Sequence, residues 1–274
     1  MLNLSQPPLS KQIKDLEIEV GATLFSRTKR RVELTFAGHE FLLYAKDILQ
    51  MADEARARIR KISTGDIGTL AIAFTGTTIF DLQTIVHMFK QLHPGVEIIL
   101  RRMVTTDQRN SLKDRSIAVG HLILPLPDSS LDFLPIRLDP FVIALPSKHP
   151  VAQNSEPVRI SSLSQENFII TPRHAGTSYH DAVMSLCLQS GFAPRISLEI
   201  DYIESIPAFI SLGMGVSLVP RSLTNLKIEG VVYKTIDVEK PVIIETALAW
   251  RTDDRSAVVR AFVECAHRYG PSIH

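Results

Sequence analysis

Residues 5–35 read SQPPLSKQIKDLEIEVGATLFSRTKRRVELT, and this stretch decides how the chain begins its fold. Ser5 is a suitable helix N-cap, and Pro7 and Pro8 fall in the first turn, where a missing N–H is tolerated. Apolar residues then recur at alternating spacings of four and three: Leu9, Ile13, Leu16 and Val20. Gly21 stands where a left-handed C-terminal cap is expected. The pattern predicts one amphipathic helix with an apolar face that packs and a polar face that is free to bind.

A basic segment follows this helix. It contains Arg27, Thr28, Lys29, Arg30 and Arg31, and residues 32–35 then alternate as a short, half-buried strand would. A basic turn between two short strands is typical of a wing that contacts phosphates or the minor groove, while polar residues at the start of the preceding helix can reach base edges. The alternative is an ordinary amphipathic helix beside a solvated run of charge.

Residues 5–38, SQPPLSKQIKDLEIEVGATLFSRTKRRVELTFAG, resemble the end of the winged helix-turn-helix of LysR-type transcriptional regulators, whose pattern is SQPxLSxQIxxLExxLGxxLFxRxxRxVxLTxAG. The resemblance implies a partial winged helix-turn-helix over residues 1–35 that binds double-stranded promoter DNA. It assigns DNA contacts to Ser5, Gln6, Pro7, Pro8, Ser10, Lys11, Arg27, Lys29 and Arg30. Members of the family begin with two further helices, on the order of twenty residues. We therefore expect either a misplaced start at Met1 or a truncated chain that lacks specific DNA binding of its own.

Composition indicates an ordinary globular chain. It has 274 residues, 45% of them hydrophobic, and a formal net charge of +1. Residues 1–62 hold 11 Lys/Arg against 8 Asp/Glu, so the N-terminal segment is the basic one. Cys187 and Cys265 form no CxxC pair, which predicts neither a zinc site nor a disulfide framework. The start has no signal-sequence pattern and no apolar run approaches the ~20 residues of a membrane span, so we expect a cytoplasmic protein without a membrane partner.

Residues 36–65 are predicted to form one long helix capped by Thr35. Its apolar seam alternates spacings of four and three: Phe41, Ala45, Ile48, Ala52, Ala55, Ile59 and Ile62. This is the heptad pattern of a coiled coil, although a helix lying on its own domain is the alternative. In LysR-type regulators the corresponding linker helix joins two subunits, which implies a homodimer or homotetramer.

From residue 68 to residue 274, strand-like and helix-like segments alternate, which predicts two parallel sheets covered by helices. The phrases HPGVEI, IALPSKHP and GMGVSLVP resemble the effector-binding domain of the same family. That domain has two Rossmann-like lobes arranged as in periplasmic binding proteins. By this analogy lobe I is residues 68–138 plus 241–274 and lobe II is residues 139–240. The expected fold class is thus α+β at the start and α/β thereafter.

Ligands of open α/β sheets bind at the carboxyl ends of strands, near helix N-termini. The resemblance, closest to regulators of aromatic catabolism, implies that Thr77 and Thr105 hold the carboxylate of a small organic acid inducer, and it favours an aromatic one. The predicted effector residues are Thr77, Thr105, Arg173, Thr177 and Ser178. The alternative is that the threonines are helix N-caps. Some relatives have an arginine where this chain has Ile123, and Arg173 could substitute for it from the other lobe.

Enzyme motifs are poorly matched. Gly213, Met214 and Gly215 follow a predicted helix and precede a strand, the reverse of a dinucleotide-binding loop. Ser178 lacks a GxSxG context, and the histidines have no metal-binding spacing. We predict a regulator that is not an enzyme and has no cofactor or metal. A solute-binding protein shares the two-lobed fold, but the wing and the lack of a signal pattern argue against it.

Overall fold

The computed structural model describes residues 6–28, 31–270 and 272–273, with side chains for residues 9–28 and 31–270. Among the predicted DNA contacts, Ser5, Lys29 and Arg30 lie outside the described residues, as do the side chains of Gln6, Pro7 and Pro8. Backbone contacts divide the chain into residues 1–61 and residues 62–274, and each unit is described by itself.

The first unit contains α1 (Gln6–Val20), β1 (Phe25–Arg27), β2 (Val32–Leu34) and most of α2 (Phe36–Thr64). Gly21 has a φ of +72°, as expected of a residue that ends a helix in the left-handed region. The two strands pair antiparallel, with Phe25 opposite Leu34. The predicted helix and hairpin are therefore both present.

Two polar side chains join these elements. The Glu17 carboxylate accepts hydrogen bonds from the backbone N–H groups of Leu24 at 2.7 Å and Phe25 at 2.9 Å, and these bonds lower the pKa of Glu17. The Thr35 hydroxyl accepts from the Gly38 N–H at 3.0 Å, so Thr35 caps α2 as predicted.

The apolar face of α1 is only partly covered. Leu9 is 41% exposed and Val20 is 42% exposed, whereas Ile13 and Leu16 are half-buried. The expectation that the whole apolar stripe packs is therefore wrong for the described residues. Leu24, directly before the hairpin, is the one fully buried apolar side chain among the described residues of this unit, so the stripe has little apolar surface to pack against.

The second unit begins with alternating strands and helices. They are β3 (Ile67–Phe74), α3 (Ile79–Leu92), β4 (Gly95–Arg102), α4 (Thr105–Lys113) and β5 (Val119–Leu124). β3 lies between β4 and β5 and is parallel to both. These elements form the first lobe together with the first half of β6 (Leu131–Pro146), β11 (Ile243–Arg251) and α7 (Ala257–Tyr269). Its core packs α3 and α7 on the sheet, and the Phe89 and Phe262 rings meet edge to face at 5.2 Å.

The remaining elements build the second lobe and the return to the first. They are β6 (Leu131–Pro146), β7 (Asn167–Ile170), α5 (Thr177–Gln189), β8 (Arg195–Glu199), α6 (Ile206–Ser211), β9 (Ser217–Pro220), β10 (Val231–Thr235), β11 (Ile243–Arg251), α7 (Ala257–Tyr269) and β12 (Ser272–Ile273). In the second lobe β7 and β8 are parallel, while β9 and β10 pair antiparallel with β6. Tyr179 is buried at its centre and donates a 2.7 Å hydrogen bond to the Leu218 carbonyl.

The expectation of two purely parallel sheets is wrong at β6 and β11. β11 pairs antiparallel with both β5 and β6, from Ile243 opposite Pro140 to Arg251 opposite Leu131. The sixteen-residue β6 continues beyond Pro140 into the second lobe, where it pairs with β9 and β10. The chain thus leaves the first lobe along one strand and returns along its neighbour, which requires an antiparallel pair.

Candidate functional site

The loop between β3 and α3 carries the threonines predicted to hold an acid. The Thr75 N–H and the Thr78 hydroxyl donate to the His121 carbonyl on β5, at 3.3 and 3.0 Å, which fixes the loop to the sheet. The Thr77 hydroxyl lies 3.2 Å from that of Thr75, and Thr77 is only 3% exposed. Thr78 occupies the N-cap position of α3 without a side-chain capping bond. Helix capping therefore does not explain these threonines.

The start of α4 provides two further hydroxyls. Val104 is the N-cap residue, so neither Thr105 nor Thr106 caps the helix. The Thr105 hydroxyl accepts from the Ile123 N–H at 3.5 Å. The Thr106 hydroxyl donates to the His174 carbonyl at 3.0 Å and so bonds the first lobe to the second.

The start of α5 faces the same cleft from the second lobe. The Ser178 hydroxyl donates to the Pro125 carbonyl at 2.8 Å, and the Thr177 hydroxyl donates to the Arg173 carbonyl at 3.2 Å. The Arg173 guanidinium makes two 2.9 Å hydrogen bonds to Asp181, an ion pair that raises the pKa of Arg173 and lowers that of Asp181. The structure corrects the expectation that Arg173 substitutes for a cation in the cleft, because the Arg173 guanidinium is paired with Asp181 of α5.

A cavity of about 470 Å³ lies between these two lobes. Its lining comprises Thr105, Thr106, Arg109, Ile123, Pro125, Leu126, Pro127, Gly176, Thr177, Ser178, Tyr179 and Asp181. Three of the five predicted effector residues, Thr105, Thr177 and Ser178, are brought together here, whereas Thr77 and Arg173 are not part of this lining. Ile123 contributes an apolar side chain to the lining.

Arg109 places a positive charge at this cavity. Its Nε bonds to Asp128 at 2.7 Å, and Lys113 lies 2.7 Å from the same carboxylate. Lys113, Ser130 and Arg109 together hold the pKa of Asp128 far below its usual range, so Asp128 is ionised near neutral pH and offsets part of their charge. Arg109 was missed by the sequence analysis, although its position one turn into a helix that begins at the cleft is a usable signal.

A much smaller pocket of about 30 Å³ adjoins the larger cavity, since Thr105 and Ile123 line both. Glu204 of the second lobe lines this pocket and forms an ion pair with Arg102 at the end of β4. The Arg102 guanidinium carbon also lies 3.7 Å from the centre of the Tyr202 ring. None of these three residues was predicted, although the carboxyl end of β4 is where a ligand residue of an open sheet belongs.

The helix α1 and the hairpin of the first unit, which are predicted to contact DNA, present polar side chains to solvent. Ser10, Lys11 and Arg27 are all exposed. Arg31 forms a 3.1 Å ion pair with Glu33, two residues later in β2. The described part of the hairpin thus carries two basic side chains, Arg27 and Arg31.

The glycine, cysteine and metal-ligand patterns of the described residues give little support to a different function. Gly213 has a φ of +76° and lies between α6 and β9, which confirms that the Gly-Met-Gly sequence is a helix terminus. Among the described residues no group of three or more His, Cys, Asp or Glu side chains could hold a metal ion, and Cys187 and Cys265 are unpaired and buried. Among the described helices, none combines the length and the apolar character that a membrane span requires.

An amphipathic helix with a basic wing and a two-lobed ligand-binding domain, carried on one chain, define the class of ligand-responsive DNA-binding regulators. The description "LysR substrate binding domain" matches residues 63–271, and "Bacterial regulatory helix-turn-helix protein, lysR family" matches residues 1–39. The chain belongs to the LysR family of bacterial transcriptional regulators. Members of this family are not enzymes; they bind promoter DNA and small-molecule effectors and form oligomers. The family assignment made from residues 5–38 is confirmed.

Relatives agree over nearly the whole chain. HTH-type transcriptional regulator AlsR of Bacillus subtilis (strain 168) is 33% identical over 267 residues, covering 97% of this chain and 88% of AlsR. Full-length CbnR, solved in complex with its target DNA, is 26% identical, has a TM-score of 0.81 and covers 98% of this chain and 91% of its own. The BenM effector-binding domain, solved with its effector benzoate, is 24% identical over 73% of this chain and 90% of its own, with a TM-score of 0.63, and shares the fold.

Proposed function

We propose that the chain regulates transcription in response to an aromatic monocarboxylic acid, which binds in the 470 Å³ cavity between the lobes. The single observation that carries this proposal is the composition of that cavity: threonine and serine hydroxyls, the Arg109 guanidinium, an Asp181 carboxylate that is paired with Arg173, and a group of apolar side chains. Its volume lies within the range of small-molecule sites, roughly 300–1,000 Å³.

Thr105 is the hydroxyl best placed to bind a carboxylate. The hydroxyls of Thr106, Thr177 and Ser178 each donate their proton to a backbone carbonyl. In the hydrogen bonds of the described residues, that of Thr105 instead accepts from the Ile123 N–H, so its own proton is available to a ligand. Arg109 bonds to Asp128 through Nε, which leaves the end of its guanidinium for the same carboxylate.

The apolar part of the cavity lining suits an aromatic ring. It consists of Ile123, Pro125, Leu126 and Pro127, which offer no charge to a second polar group. A benzoate-like ligand would therefore place its carboxylate at Thr105 and Arg109 and its ring against these apolar side chains. The solved BenM domain, whose effector is benzoate, supports this choice of ligand class by its shared fold.

On the DNA side, we assign recognition to the α1 residues Ser5, Gln6, Pro7, Pro8, Ser10 and Lys11, and phosphate contacts to the wing residues Arg27, Lys29 and Arg30. Residues 36–65 serve as the linker helix between subunits. Effector binding changes the arrangement of lobe I (68–138 plus 241–274) and lobe II (139–240), and the linker helices convey this change to paired DNA-binding elements. Thr77 supports its loop through the contact with Thr75, and Arg173 supports the other loop by pairing with Asp181 of the cavity lining.

Calorimetric titration of the whole chain with benzoate, cinnamate, muconate and aliphatic acids tests the proposal. Thr105→Val should weaken binding of the best acid about ten- to hundredfold, since a carboxylate would lose a charge-assisted hydrogen bond worth about 1.5–3 kcal/mol. Thr69→Val is the matched control, because Thr69 lies on β3 and bonds to Glu97 at 3.4 Å, away from the cavity lining. Failure of every acid to bind, or equal losses in the two variants, would refute the assignment.

A further inference from the structure

The Glu204 carboxylate crosses from the second lobe and lies on the loop that follows β3. Glu204 stands immediately before α6, yet its carboxylate contacts Gly76 and pairs with Arg102, both in the first lobe. A methyl group placed on Gly76 would overlap that carboxylate, so this close approach depends on the glycine. The Glu204 side chain is 18% exposed in this position. The narrow end of the cleft therefore already contains a carboxylate that belongs to the protein.

The positive charge of Arg102, at this end of the cleft, is already paired. Arg102 pairs with Glu204 on one side and stacks its guanidinium over Tyr202 at 3.7 Å on the other. Both partners come from the second lobe. The second carboxylate oxygen of Glu204, Oε2, is buried and has no hydrogen-bond partner among the described residues. The lining of this end thus contains two carboxylates, Glu204 and Asp201, and the nearby Arg102 guanidinium is already paired. Neutral hydroxyls, such as the Thr171 Oγ1 that has no partner among the described residues, are left as donors.

The two ends of the cleft differ accordingly. The narrow end retains about 30 Å³, room for about one water molecule. The wide end has about 470 Å³, and Thr105 and Ile123 line both. We propose that Glu204 is a specificity residue that makes the cleft select monocarboxylates over dicarboxylates. This inference rests on the proposed acid effector. A monoacid binds at Thr105 and Arg109 with its ring against Ile123 and needs no further cation, whereas a diacid that carries a second carboxylate toward Glu204 meets the negative charge of Glu204 and finds Arg102 already paired.

Glu204→Gln tests this role, because glutamine keeps the shape of the side chain and removes its charge. Whole-chain calorimetry would compare benzoate with terephthalate, which adds one carboxylate to the same ring, and with muconate. In the variant the affinity for the diacids relative to benzoate should rise about tenfold or more, since like-charge repulsion is removed and Arg102 is released. Asp201→Asn is the matched control: Asp201 lines the same narrow pocket but is 59% exposed and lies 3.5 Å from His174.

An unchanged ratio of diacid to monoacid affinity in Glu204→Gln would overturn the proposal, as would an equal rise in Asp201→Asn, which would indicate a general charge effect. Hydrogen exchange on the effector-free chain separates this proposal from the acid-effector proposal. Glu204→Ala should speed exchange at residues 99–106 and 200–206, and Asp201→Asn should not. If no acid binds any variant, the acid-effector proposal fails and the specificity role fails with it; if exchange is also unchanged, Glu204 does not hold the lobes together.

Discussion

The Ser178 hydroxyl at the start of α5 donates a 2.8 Å hydrogen bond to the Pro125 carbonyl, and this bond joins the two lobes beside the larger cavity. A second neutral bond, from the Thr106 hydroxyl to the His174 carbonyl at 3.0 Å, joins them nearby. Neutral hydrogen bonds contribute only about 0.5–1.5 kcal/mol each. These two bonds therefore contribute a small free energy, of the size that ligand binding can shift, beside the Arg102–Glu204 ion pair that also joins the lobes.

Ser178→Ala should weaken effector binding by no more than about tenfold, because one exposed neutral hydrogen bond is lost. The midpoint of thermal unfolding should change little, since Ser178 is half-buried and loses one neutral hydrogen bond. Calorimetric titration and a thermal scan measure the two effects. Ser185→Ala on the same helix, where the hydroxyl accepts from Gln189 at 3.0 Å, is the control. A hundredfold loss of affinity would mean that Ser178 contacts the ligand directly.

DNA binding should depend on the wing and on α1 in different ways. Lys29→Ala combined with Arg30→Ala should weaken binding to every sequence and reduce its salt dependence, because phosphate contacts are lost. Gln6→Ala should instead relax the preference at particular bases. Gel-shift series at several salt concentrations distinguish the two. Lys46→Ala on α2 removes a charge elsewhere in the first unit and should have no comparable effect. Uniform weakening by Gln6→Ala would contradict its assignment to base recognition.

The linker helix offers a matched pair of substitutions. Ile48 is 67% exposed on the predicted seam, and Leu43 is 58% exposed on the opposite face of α2. Ile48→Glu should shift the protein to smaller species in sedimentation velocity, because it places a charge in the contact between linker helices. Leu43→Glu should leave the distribution unchanged. Equal effects would show that the seam has been placed on the wrong face.

Local chemistry made the helix boundaries predictable. Thr35 was expected to cap α2 and does so, and Gly65, with a φ of +79°, follows its last residue. These signals lie within a few residues of the boundary they mark, so the sequence contains them directly. The threonine loops were found for a related reason, since the ends of parallel strands meet at one edge of a sheet.

Long-range pairing was not predictable in this way. Nothing in the local pattern shows that β6 runs for sixteen residues, because Pro135 and Pro140 within it argue against a regular strand. Both prolines are accommodated where β6 faces β11, with a register shift next to Pro135. The contacts of Arg102 with Tyr202 and Glu204 likewise join residues from different lobes, and only the assembled cleft shows them.

His121 provides a buried titratable group beside the effector loop. It is fully buried on β5, and neither ring nitrogen has a hydrogen-bond partner among the described residues. Burial lowers the pKa of His121 from 6.5 to about 4, against the opposing attraction of Asp81. Because the folded-state pKa is depressed, the unfolded chain binds the proton more readily between pH 4 and 6.5. Its contribution to stability is thus full above pH 6.5 and is lost as the pH falls through this window.

His121→Leu should remove this pH dependence. Between pH 6.5 and 4, the wild-type free energy of unfolding should fall by about 3 kcal/mol more than that of the variant, given the shift from 6.5 to about 4. Urea unfolding at several pH values measures the difference, and subtraction of the two curves cancels the carboxylates that titrate in both proteins. His87→Leu on the exposed face of α3 is the control and should leave the wild-type slope intact. Parallel curves for wild type and His121→Leu would mean that His121 titrates normally in the folded protein and that water reaches its ring.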